Sequence, residues 1–190
     1  MTTAAQIGMS LDEFMRQYDE QPFELIDGEC IPVVQITRSV RISGRLFRYL
    51  ANYVDEHQLG EVFIEAPFVM KPQKQWVKGS RVPDVLFIRA DRLKALAESD
   101  PTWELSPIPL VPDLVVEVLS PTDSLAAAIQ KAQTYLNDGA TLIWIIDPDR
   151  RAVYVFTTSG AKPIPMSEED QLTGGEVIPG FEILVAKLFD

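Results

Sequence analysis

The period of the apolar positions changes repeatedly along the chain, and each change predicts an element. Between Arg38 and His57 the residues Ile42, Leu46, Phe47, Leu50 and Val54 recur at helical spacing, which gives a helix with one buried face. Ahead of it, "SLDEFMRQ" opens on Ser10 and places Glu13 three residues later, a capping-box start for a short helix. "FELIDGECIPVVQ" alternates around Asp27-Gly28, the turn chemistry of a hairpin. After Gly60, "EVFIEAPFVM" reads as one strand, "QKQWVKGSR" as a basic loop and "VPDVLFIRA" as the next strand. "DRLKALAES" is a short helix, which the prolines of "DPTWELSPIPLVP" cannot prolong.

A buried strand then runs from Asp113 to Leu119. The helix that follows, capped in "SPTDS", ends at Gly139, with Leu125, Ile129, Ala132 and Leu136 as its core stripe. "TLIWIID" and "RAVYVF" form a hairpin about "DPDR", and the tail ends in an apolar piece expected to dock on the rest. Residues 1–190 are expected to form a single domain of α/β (α+β) class. Its mixed central sheet is flanked by helices, with an N-terminal helix and hairpin and a right-handed parallel crossover from Asp113 to Ile146.

Composition narrows the class. With 46% apolar residues in 190, the chain can bury a core despite its formal charge of −11. That charge opposes a constitutive nucleic-acid coat protein and leaves a local basic site open. The lone Cys30 excludes an intrachain disulfide framework. "MTTAAQIGMSLDEF" lacks a secretory signal, and no apolar run suits a bilayer, so a cytoplasmic protein without a membrane partner is expected.

The chemistry begins with an anomaly. Glu117 lies between Val116 and Val118, and strand alternation gives it a face shared with Asp113, Val115 and Leu119. An ionised carboxylate there needs a partner. Asp84, after Pro83, opens the preceding strand, and two acids meeting in a dry site call for a divalent cation, a shared proton or a base. Lys131 supplies a base, lying about 140° from the centre of its helix's apolar stripe and about 40° beyond Tyr135. Each residue has a plainer reading: Asp84 as a turn cap, Asp113 as a strand opener, Lys131 as a solvated lysine or as a packing ion pair with Glu117. Cys30 and His57 lack partners of the right type. Asp147, Asp149, Arg150 and Arg151 suit a hairpin turn, and Trp144 suits the core.

"RVPDVLFI", "PDLVVEVLSPTDS", "KAQTYLNDGATLIWIIDP" and "RRAVYVF", with "FELIDGE" upstream, resemble the Uma2 family of restriction-endonuclease-like proteins, of the PD-(D/E)XK nuclease fold. The resemblance runs from about Ser10 to Phe156 and implies a restriction-endonuclease-like core. It also implies a divalent-metal nuclease site with Asp84 and Glu117 as ligands of Mg2+ or Mn2+. The common nuclease motif has a lysine two residues after the acid, where this chain has Leu119; the family position on the following helix matches Lys131. Glu29, in "DGE", matches a recurrent family acid, and Ser39 stands where many relatives carry a histidine.

Arg38, Arg41, Arg45 and Arg48 occupy an arc of about 80° on their helix, and Lys71, Lys74, Lys78 and Arg81 surround Trp76 just before Asp84. Each suits a solvated surface; together they suggest phosphate contacts, with Trp76 as a stacking surface. The leading expectation is a metal-dependent endonuclease acting on DNA as a homodimer. A catalytically inactive nucleic-acid-binding or regulatory dimer, and a packing scaffold, stand as alternatives.

Overall fold

The computed structural model describes residues 7–34, 36–70, 75–160 and 162–190. In chain order the elements are β1 (Met9–Ser10), α1 (Leu11–Glu20), β2 (Phe23–Ile26), β3 (Glu29–Pro32), α2 (Thr37–His57), β4 (Gly60–Ile64), β5 (Phe68–Met70), β6 (Trp76–Val77), β7 (Gly79–Arg81) and β8 (Val85–Arg89). There follow α3 (Ala90–Ser99), β9 (Leu114–Val118), α4 (Leu125–Asp138), β10 (Leu142–Asp147), β11 (Ala152–Thr157), β12 (Ile164–Met166), β13 (Gln171–Thr173) and β14 (Glu182–Leu184). Single 3-10 turns lie at Trp103–Leu105 and Val185–Leu188.

Six strands form the central sheet in the order β12-β11-β10-β9-β8-β4. β9 and β10 run parallel, joined through α4, and the other neighbours are antiparallel. The alternation of each strand divides the apolar residues between two faces. Val85, Phe87, Val116 and Trp144 pack with Ile42, Leu46, Leu50 and Val54 of α2, and the tail adds Phe181, Val185 and Leu188. Each fully buried aliphatic here contributes about 2 kcal/mol. Leu86, Ile88, Val115, Ile143 and Ile145 point the other way and pack under Ala128, Ala132 and Tyr135 of α4.

Local chemistry explains most boundaries. Ser10 accepts the backbone N–H of Glu13 at 3.2 Å, capping α1. Asp27 and Gly28 both have positive φ, 50° and 89°, as a two-residue turn of type I′ requires between β2 and β3. Ser124 caps α4 through the N–H of Ala127 at 3.1 Å, and Gly139 ends it at φ 115°.

Three expectations need correction. "EVFIEAPFVM" is two strands, because Glu65 turns at φ 53° ahead of Pro67 and β5 leaves the central sheet to pair with β7. The basic loop is partly ordered strand, with β6 on β1 and β7 on β5. The buried stripe of α4 runs through Ala128, Ala132 and Tyr135 while Leu125, Ile129 and Leu136 are only half-buried, so Lys131 lies about 60° from its centre. Among the described residues, no helix is long and apolar enough to cross a membrane.

Candidate active site

The ladder between β8 and β9 pairs Val85 with Val116 and Leu86 with Val115. Continued by one residue, this register sets Asp84 directly opposite Glu117, on the face covered by α4. Like charges so placed repel. Asp84 Oδ2 accepts the backbone N–H of Val118 at 2.6 Å, which fixes its carboxylate against β9. Its other oxygen accepts no hydrogen bond among the described residues.

Glu117 is held from above by α4. Tyr135 donates its hydroxyl to Glu117 Oε1, and Lys131 Nζ lies 3.0 Å from the same oxygen. The rotated stripe of α4 makes this possible, since Lys131 stands one turn before Tyr135 and drapes its ammonium 5.9 Å from that ring's centre.

A third acid completes the cluster. Glu24 of β2 is 7% exposed, and its Oε1 lies 3.3 Å from Lys131 Nζ while accepting the backbone N–H of Val82 at 3.0 Å. Lys131 is therefore gripped between two carboxylates from different parts of the fold.

Burial dominates the electrostatics. It pushes Asp84 up to about 6, against the pull of the Val118 N–H and Lys131, with Glu65 and Asp123 adding to the rise. Burial likewise raises Glu117 to about 7; Lys131 opposes the rise, while Asp84 and Glu24 reinforce it. Burial alone would discharge Lys131, but Glu117 and Glu24 hold its pKa above the usual lysine range. The cluster therefore holds more negative charge than its one ammonium neutralises, and two of its carboxylate groups resist ionisation.

The donor set fits a hard divalent cation. Asp84 and Glu117 each keep one oxygen without a hydrogen bond among the described residues, and both line a cleft of about 340 Å³. Among the described residues, no group of three or more His, Cys, Asp or Glu side chains is gathered to hold a metal. A larger groove of about 630 Å³, lined by Met15, Phe63, Leu93, Trp103 and Leu105, lies elsewhere and carries no comparable set of acids and amine.

The other predicted residues are dispersed. Glu29 lies exposed on β3 outside the cleft, so the acid that this hairpin contributes is Glu24. Its signal was present: an acid inside "FEL", between two buried apolar residues, repeats the Glu117 anomaly. Arg81 is 7% exposed; it donates to the carbonyls of Leu25 at 3.2 Å and Ser80 at 2.9 Å, and pairs with Asp138 at 3.3 Å. It ties β2 to α4 and offers nothing to a phosphate. Trp76 is half-buried, its indole N–H donating to the carbonyl of Ile7 at 3.1 Å, and is no open stacking surface.

Of the α2 arginines, Arg38 pairs with Asp149 at 2.6 Å and Arg45 donates to the carbonyl of Leu188 at 3.0 Å. Arg41 and Arg48 are exposed, as is Lys78. The expected contacts of Lys71 and Lys74 lie outside the described residues. Ser39 is buried at the cleft. Asp113 pairs with Arg92 at 2.9 Å and Asp147 accepts the N–H groups of Asp149 and Arg150, both as local structure.

A family model described as "Uma2: Putative restriction endonuclease" matches residues 11–186. The fold is similar to a crystal structure described as a putative nuclease belonging to DUF820 from Anabaena variabilis. The TM-score is 0.75 at 21% identity, over 95% of this chain and 97% of that one. No curated protein matches the chain.

Proposed function

The chain belongs to the Uma2 family of restriction-endonuclease-like proteins, and from that premise we propose that it hydrolyses phosphodiester bonds, in DNA, with a divalent cation held by Asp84 and Glu117. The observation that carries this reading is the register that sets these two acids face to face, with Lys131 bonded to the second. A divalent cation bound there would supply Lewis acidity and ready access to a hydroxide-like nucleophile.

The chain's own residues do the rest. The Val118 N–H keeps Asp84 turned towards the cleft. Tyr135 and Lys131 both engage one oxygen of Glu117, leaving the other for a ligand. Lys131, kept protonated by Glu117 and Glu24, is placed to stabilise negative charge growing on a phosphoryl group. Glu24 acts through Lys131 as a positioning residue. Leu119, just after β9, takes the place of the common motif's lysine, and the same cationic charge arrives from α4.

Nicking of supercoiled plasmid in magnesium or manganese, with Asp84→Asn as control, tests the reading. We expect wild-type activity lost in Asp84→Asn, together with loss of the heat of magnesium binding. A wild type without metal binding would leave the three charged side chains as a packing device. Two such centres, as in a homodimer, would let both strands of a duplex be cut in one encounter; a single strand needs one.

A further inference from the structure

The cleft over Asp84 has two unlike walls. One carries Glu24, Glu65, Asp84, Glu117 and Asp123, with Lys131 as its one cation among the described residues. The other, built by the end of β3 and the start of α2, is aliphatic. There Ile31 of β3 is 44% exposed, Val34 of the connection 81% and Val40 of α2 39%.

The cleft's 340 Å³ is at the small end of ligand pockets, room for about one nucleotide. Glu24 and Glu117 are sunk within it, their side chains 10% and 15% exposed. A paired helix keeps its bases stacked on each other and cannot present one to a wall. An extruded or unpaired nucleotide can, and a base face packs on apolar side chains with little regard to sequence.

Resting on the hydrolytic reading above, we propose that the substrate is unpaired nucleic acid. One nucleotide enters the cleft with its base against Ile31, Val34 and Val40 and its phosphate towards Asp84 and Glu117. The segment at Val34 is thus a binding wall.

The test is fluorescence anisotropy in calcium, with a labelled oligodeoxythymidylate compared with a blunt duplex whose strands are of equal length. Binding of the single strand should be at least about tenfold tighter. Val34→Ser should weaken it about tenfold and Val34→Trp strengthen it, both leaving the duplex affinity within about twofold; at such exposure neither disturbs the fold. Equal affinity for both forms, no binding of either, or indifference to both substitutions overturns the proposal. Cleavage assays on a single-stranded circle and its relaxed duplex separate the two readings. Selective binding without cutting removes hydrolysis and keeps the unpaired ligand; a duplex cut as fast as the circle does the reverse.

Discussion

Glu117→Gln replaces a buried acid by a neutral side chain of nearly the same shape, and its effect on stability distinguishes a functional acid from a packing ion pair. Burial raises Glu117 from 4.5 in the unfolded chain to about 7 in the fold. At about 1.4 kcal/mol per unit, ionising it in the metal-free fold costs up to about 3 kcal/mol relative to the unfolded chain. The open cleft and the partly exposed Lys131 reduce this to about 1–3 kcal/mol. Because the folded value is the higher one, the stabilising contribution of the protonated acid is complete below about 4.5 and is lost as pH rises through about 7.

Glutamine never ionises. It can still accept from Tyr135, while Lys131 keeps Glu24. In urea titrations with chelator, Glu117→Gln should therefore exceed the wild type by less than about 1 kcal/mol at pH 5 and by about 1–3 kcal/mol at pH 8, with the urea slope unchanged. A packing ion pair gives the opposite sign, because removing one partner of a buried pair costs about 3–5 kcal/mol. A variant less stable than the wild type at pH 8 would refute the reasoning.

Other substitutions separate the roles of the remaining residues. Lys131→Met should lower the rate of phosphodiester cleavage about 100-fold or more while calorimetry finds magnesium affinity little changed. Glu24→Gln should lower the rate about tenfold through a loosened Lys131, again without loss of the magnesium heat, and Glu24→Asp should rescue part of it. Arg81→Ala strips partners from Asp138 and the Leu25 carbonyl, so thermal unfolding should show a loss of about 2–4 kcal/mol. Arg41→Ala should leave oligonucleotide affinity within about twofold, measured by anisotropy.

What the sequence disclosed was local. Periodicity located α2, the Asp27-Gly28 pair located the first hairpin, and the Pro-Asp openings with the acid among valines pointed to Asp84 and Glu117. Lys131 was found by angle, although the stripe used as reference was wrong: Ala128 and Tyr135 are buried more deeply than Leu125 and Leu136. Ala128 and Ala132 let α4 lie close on the sheet and Tyr135 is drawn in by its bond to Glu117, so hydrophobicity alone did not choose the buried face. Glu24 was missed although the acid inside "FEL" was visible, because only the docking of β2 beside β7 and Lys131 of α4 shows that its face is covered. Arg81 was misjudged for a similar reason. Its partners Leu25 and Asp138 lie far away in sequence, and nothing near "KGSR" announces them.

The grip of Arg81 on both the first hairpin and the last turn of α4 has a consequence for biogenesis. Glu24 is translated early and Lys131 much later, so the charged centre cannot exist on a half-made chain. The amino-terminal hairpin must wait for distant strands and a helix to close over it, a costly loop to shut and thus a late event. A nascent or clipped chain carries Glu24 and Asp84 without the clamp, so the assembled charge cluster is withheld until α4 has been made.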